Sequence, residues 1–149
     1  MATSETPELV TMHPQMTLHA ARLVLKKALS EARSRQRRVS VAVVDLSGEL
    51  LAFERDDDSA GVTVNTAIAK AKTAALLRDP SSLFETFINQ GSLSFLATPG
   101  ITPLQGGVPV MLDGRLIGAV GVSGASGEED NVIATQAAIR FMEQGVHHG

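Results

Sequence analysis

The stretch GGVPVMLDGRLIGAVGVSG, from Gly106 to Gly124, decides the fold. Two apolar runs flank the pair Asp113-Gly114, and an Asp-Gly pair in that setting marks a type I′ turn, whose two central residues take positive φ. The segment is therefore predicted to be an antiparallel β-hairpin. Working backwards, VSVAVVDL (Val39 to Leu46) is a β-branched run too apolar for a strand with one wet face. It is expected at the centre of a sheet, covered on both sides. Ser47-Gly48 turns the chain into ELLAFERD, and so short a connection makes this second pair antiparallel as well.

Helices surround the hairpins. Thr17 can cap a first helix in which Leu18, Ala21, Val24, Leu25, Ala28, Leu29 and Ala32 recur at helical spacing, ending near Gln36. Its opposite face carries His19, Arg22, Lys26, Ser30 and Arg33. The polar DDDSAG leads into an alanine-rich helix from Val62 to Arg78, closed by Asp79-Pro80. A shorter helix capped by Ser81 is expected to Asn89, then a loop to Gln105 with a short strand near Ile101. A last helix from about Gly127 to Gln144 presents Val132, Ile133, Ala137, Ile139, Phe141 and Met142. The order helix, hairpin, helices, hairpin, helix defines an α+β class with an antiparallel sheet.

Composition narrows the functional classes. A chain of 149 residues with 44% hydrophobic and 19% charged residues suits one globular domain. Five Phe are the only aromatics, so Val, Leu, Ile and Ala must build the core and elements must approach closely. A net charge of −3 leaves no basic footprint for nucleic acid. The one basic run, RSRQRR from Arg33 to Arg38, offsets the negative end of the first helix. Without cysteine there is no disulfide, thiolate metal site or cysteine nucleophile. No apolar run reaches the roughly 20 residues that cross a bilayer, and the start of the chain lacks a secretory signal, so no membrane role and a cytoplasmic location are expected. Residues 1–15 are expected to form a flexible or partner-docked arm, residues 16–145 the single domain and 146–149 a tail.

The glycine-rich junction GVSGASGEED, Gly121 to Asp130, resembles a phosphate cradle but lacks the lysine of a Walker A loop and the spacing and parallel setting of a dinucleotide fingerprint. Ser126 and Glu129 instead stand in the register of a capping box, and Glu128, Glu129 and Asp130 suit a helix N-terminus. A ligand contact remains open at the Ser123-Gly124 backbone.

The succession VSVAVVDLSGELLAFERDD, AIAKAKTAA, GGVPVMLDGRLIGAVGVSG and GEEDNVIATQAA resembles the GlcG and HbpS family, which includes the C-terminal domain of PduO-type adenosyltransferases. The resemblance covers roughly Met16 to Met142. It implies a profilin-like fold with about five antiparallel strands flanked by helices, and homo-oligomers from dimers to octamers. It also implies binding of haem, a corrinoid or a related small ligand. Asp45, Arg55, Lys70, Gly106, Gly107, Pro109, Ser123, Gly124 and Asp130 fall within the matching blocks. Where many relatives carry a histidine after the glycine of the first hairpin, this chain has Glu49.

With no Cys or Tyr, a haem axial ligand must be His or Met. His13 and His19 flank the start of the first helix, where haem-binding relatives carry a coordinating histidine, and His19 is the candidate iron ligand. His147 and His148 fall in the tail, and the methionines read as core filler. Arg55 and Lys70 are candidate anion contacts, although Arg55 can equally pair with Asp56, Asp57 or Asp58. Lys72 lies about 200° from Lys70 around its helix, so the two cannot serve one pocket. Asp45 can fix the adjacent turn, and Gly106 and Gly107 permit irregular backbone or close ligand approach. Two functional classes follow. One is a binding protein with an apolar slot, a cationic rim and an axial histidine. The other is an enzyme on a small carboxylate, with Arg55 or Lys70 as anchor and Asp45 or Asp130 moving a proton. A scaffold with no ligand is the third possibility.

Overall fold

A computed structural model describes residues 9–148 of the chain. The elements in order are α1 (Leu18–Ser34), β1 (Ser40–Val44), β2 (Leu50–Arg55), α2 (Val62–Leu77), α3 (Ser82–Asn89), a 3₁₀ turn (Leu93–Ala97), β3 (Gly107–Leu112), β4 (Arg115–Ser123) and α4 (Gly127–His148). Four antiparallel strands form one sheet in the order β2-β1-β4-β3. The two hairpins are thus joined through their central strands, β1 and β4.

The hairpin that decides the fold closes as its sequence dictates. Asp113 and Gly114 take φ of 52° and 76°, the left-handed values of a type I′ turn, and Leu112 pairs with Arg115. In the other hairpin Asp45 holds the turn. Its Oδ1 accepts from the amides of Ser47 and Glu49, and Gly48 supplies a φ of 82°. β1 is buried along its whole length, which its β-branched run requires.

One face of the sheet carries α1 and α4. Ala21, Val24, Leu25, Ala28 and Leu29 of α1 and Ile133, Ala134, Ala137 and Phe141 of α4 meet Val41, Val43, Val120 and Val122. Each fully buried Val or Leu here stabilises the fold by about 1.5–3 kcal/mol. Thr17 caps α1, accepting from the Ala20 amide at 3.0 Å. The other face is covered by α2 through alanines: Ala67, Ala71, Ala74 and Ala75 pack on Ala42, Val44 and Ala119. So close a seat needs glycine in the strands beneath. A Cβ on Gly107 would overlap the carbonyl of Lys70, and one on Gly121 that of Ala67.

Two expectations are corrected. The sheet has four strands among the described residues rather than about five, because the segment at Ile101 pairs with side chains instead of a strand. The Thr102 amide donates to Thr73 Oγ1 at 2.8 Å, and the Leu104 carbonyl accepts from Ser81 Oγ at 2.6 Å. Ser81 accordingly does not cap α3. It is fully buried, accepts from the Gly107 amide at 2.9 Å, and pins the loop to the start of β3.

Of the arm, residues 1–8 lie outside the described residues. Residues 9–15 run along the molecule, where Arg115 donates to the Met12 carbonyl and the Leu46 amide to Gln15 Oε1. The backbone of α4 continues to His148, past the expected end at Gln144. The side chains of His147 and His148 lie outside the described residues.

Candidate functional site

Most sequence candidates gather at one junction, His19 lies in a second region, and Arg55, Asp45 and His13 stand apart from both. The first is the junction of α2, β3, β4 and α4. Lys70 extends from α2 beneath β3, where its Nζ donates to the Val122 carbonyl at 3.0 Å and to Asp130 Oδ2 at 2.9 Å. Lys70 and Asp130 are only 4% and 2% exposed, so this is a buried ion pair. Gly106, with φ of 127°, leaves the space the lysine needs, since a Cβ there would stand 2.9 Å from its Nζ. Asp130 Oδ1 accepts from the Ala125 amide at 2.9 Å. Burial raises the Asp130 carboxyl above the ordinary carboxylate range, opposed by hydrogen bonding and charge from Lys70.

This junction brings together Lys70, Gly106, Gly107, Ser123, Gly124 and Asp130. It also answers the question of the glycine-rich stretch. Ser126 Oγ accepts from the Glu129 amide at 3.1 Å, which is one half of a capping box. The Glu129 carboxylate turns instead to Arg37 at 2.7 Å, and Asp130 takes over the bond to the preceding loop. GVSGASGEED is a strand exit, a helix cap and one end of a buried ion pair.

The second region is a cleft of about 510 Å³ between α1 and β2. His19, Arg22, Leu23 and Lys26 line it from α1 at i, i+3, i+4 and i+7, one stripe of the helix. Leu51, Ala52 and Phe53 of β2 complete its apolar surface, and Glu54 stands at its end. His19 is exposed, and Arg22 and Lys26 form no ion pair among the described residues. A second cleft, of about 640 Å³, shares Leu23, Lys26 and Glu54 with the first and continues along α1.

The remaining candidates stand apart. Arg55 pairs with none of Asp56, Asp57 and Asp58; its Nε and Nη2 donate to the Ser59 carbonyl at 3.1 and 2.7 Å. Asp56 is taken by Arg33, through a two-point contact, and by Arg38. Asp45 is engaged in its turn, and His13 contacts Thr11 at 3.2 Å. None of these three candidates lines either cleft. Lys72 lies opposite Lys70, exposed, with its stem packed on Gly48. Sequence reasoning missed Arg22 and Lys26 as site residues. Their signal was their spacing from His19 on the polar face of α1, but the strand that completes the cleft lies some 30 residues on.

Fold and cleft together define a three-layer α+β domain with a histidine-bearing, cation-rimmed groove on its outer helix. The chain belongs to a family: residues 16–139 match the family model described as haem degrading protein HbpS-like. It is 43% identical to Protein GlcG of Escherichia coli over 103 residues, which are 69% of this chain and 77% of that one. Its structure is similar to that of a Streptomyces reticuli HbpS double mutant, with a TM-score of 0.79 and 32% identity over 88% of this chain and 90% of that one. It is also similar to a PduOC:heme complex, with a TM-score of 0.74 and 27% identity over 84% and 94% of the two chains.

Proposed function

We propose that the protein binds a haem-type tetrapyrrole in the cleft between α1 and β2. The observation that carries this reading is the stripe His19, Arg22, Leu23 and Lys26 facing the apolar Leu51, Ala52 and Phe53. A haem carries an apolar macrocycle, an iron that accepts an imidazole, and two propionates, and the lining offers a partner for each. Similarity to a haem complex supports the same ligand. A corrinoid is the competing occupant, and its amide-bearing rim makes less use of Arg22 and Lys26.

The test is a haemin titration followed in the Soret region. Saturation at one haem or fewer per subunit is expected, abolished in His19→Ala, weakened in Arg22→Gln and retained in His13→Ala. Equal binding by His19→Ala would remove His19 as ligand. No saturable binding by the wild type, or displacement of haem by equimolar cobalamin, would overturn the choice of ligand.

The second reading, an enzyme acting on a small carboxylate, has one observation in its favour: the raised carboxyl of Asp130 beside Lys70. Against it, the pair is closed on itself and lines neither large cleft. Homo-oligomerisation is part of the proposal. Val62, Leu93 and Leu96 are 75%, 62% and 61% exposed, which a monomer leaves in water. Light scattering on the purified protein reads the subunit number directly.

A further inference from the structure

The second cleft differs in chemistry from the first. Its lining includes Lys26, Lys27, Arg33 and Arg140, against Glu54 as the single carboxylate. Buried carboxylates fix the two arginines. Arg33 grips Asp56 through Nε and Nη2 at 3.0 and 3.2 Å, and Arg140 Nη2 lies 3.0 Å from Glu31 Oε1. Asp56 and Glu31 are each 7% exposed, and each also holds a second arginine, Asp56 with Arg38 and Glu31 with Arg35. Lys26 and Lys27 have no carboxylate partner among the described residues. Lys27 is half-buried. Ser30 adds a hydroxyl donor. Lys26 and Lys27 thus bring two cations without a carboxylate partner to a concavity that also holds Arg33, Arg140 and Glu54, and an anion there meets their charged donors.

We propose that this second cleft is an oxyanion subsite, which receives a phosphate or carboxylate group. The group can belong to the molecule whose apolar part occupies the first cleft, because the two clefts meet at Leu23, Lys26 and Glu54. It can equally be a free anion. The inference extends the ligand-binding reading of the first cleft, yet its chemistry is independent of haem.

The experiment titrates inorganic phosphate into the ¹⁵N-labelled protein at low ionic strength, with chloride at matched ionic strength as the control. Saturable amide shifts are expected around Lys27, Ser30 and Arg140 and not at His19. Lys27→Gln, a change at the protein surface, should weaken phosphate about fivefold to tenfold, as loss of one charge-assisted contact implies. Arg140→Gln should act in the same direction, and a fold check by the same spectra separates it from unfolding. Absence of saturable shifts, or equal shifts with chloride, overturns the proposal, as does Lys27→Gln binding phosphate like the wild type.

The sources are told apart with haemin and a porphyrin ester lacking free acids. If Lys27→Gln weakens haemin but not the ester, the acid belongs to the same ligand; if it weakens neither while phosphate still binds, the anion is separate. Phosphate binding retained in His19→Ala with haemin binding lost leaves both readings standing. Phosphate binding without any haemin binding retains the subsite and removes the haem reading.

Discussion

A buried lysine that reaches under a strand demands a carboxylate, and Asp130 answers Lys70 at 2.9 Å. Lys70 illustrates what a single residue's surroundings decide. In the sequence it is one cation in an alanine-rich helix; in the fold it crosses beneath Gly106 to tie α2 to β4 and α4. Breaking such a pair from one side leaves a bare charge in the interior. Lys70→Met is therefore expected to lower stability by about 3–5 kcal/mol, and the double change Lys70→Met with Asp130→Leu should recover a large part of it. Urea unfolding of the four proteins checks this, and a double variant no better than the single would show the pair to be unimportant. If Lys70 holds no ligand, folded Lys70→Met should still bind haemin as the wild type does.

At the scale of elements, each helix is held differently. α1 is amphipathic and packs by periodic Val, Leu and Ala, so its register was legible from spacing alone. α2 packs by alanine on glycine, and only the strands beneath it reveal why its side chains are small. The start of α4 combines Ser126 as cap with Asp130 as anchor, while Glu129 joins Arg37 and Arg35. Ser126→Ala removes only the cap and should cost about 1 kcal/mol in thermal or urea unfolding. A loss several times larger would mean that Ser126 also supports the Lys70–Asp130 junction. Ser81 shows the converse, since its position before a helix suggests a cap, yet its hydroxyl bridges Leu104 and Gly107. A local pattern states which bonds a side chain can make nearby, and a distant backbone group can outcompete them.

For the whole molecule, two buried carboxylates make opposite contributions to stability against pH. The Arg33 hydrogen bond holds Asp56 below the ordinary carboxylate value of about 3.9, against the opposing effect of burial. Its contribution is present above that value and is lost as pH falls through the lower folded pKa. Asp130 is raised by burial, so between its ordinary and folded values the native state binds the proton more readily. That contribution favours the fold at the acid side and fades as pH rises through the folded pKa. Asp56→Asn should thus lower stability at neutral pH and flatten its decline as pH falls below about 4, as read by urea midpoints across that range. An unchanged acid decline would show that Asp56 does not carry it.

The hairpins, the buried central strand and the cap of the first helix followed from the sequence because each rests on interactions within a few residues or on a period repeated along the chain. The turn at Asp113-Gly114 and the cap at Thr17 are of this kind. The candidate site was legible only in part. His19 could be named, but its neighbours in the cleft combine a stripe of α1 with β2, and the stripe has no meaning until the strand is set against it. The gathering of Lys70, Gly106 and Asp130 likewise depends on how α2 crosses the sheet, and the removal of Arg55 and Asp45 from either cleft on where their own turns use them. Local chemistry and periodicity determined the elements; the assembly of charges and cavities was decided by long-range packing, which places side chains from distant segments within reach of one another.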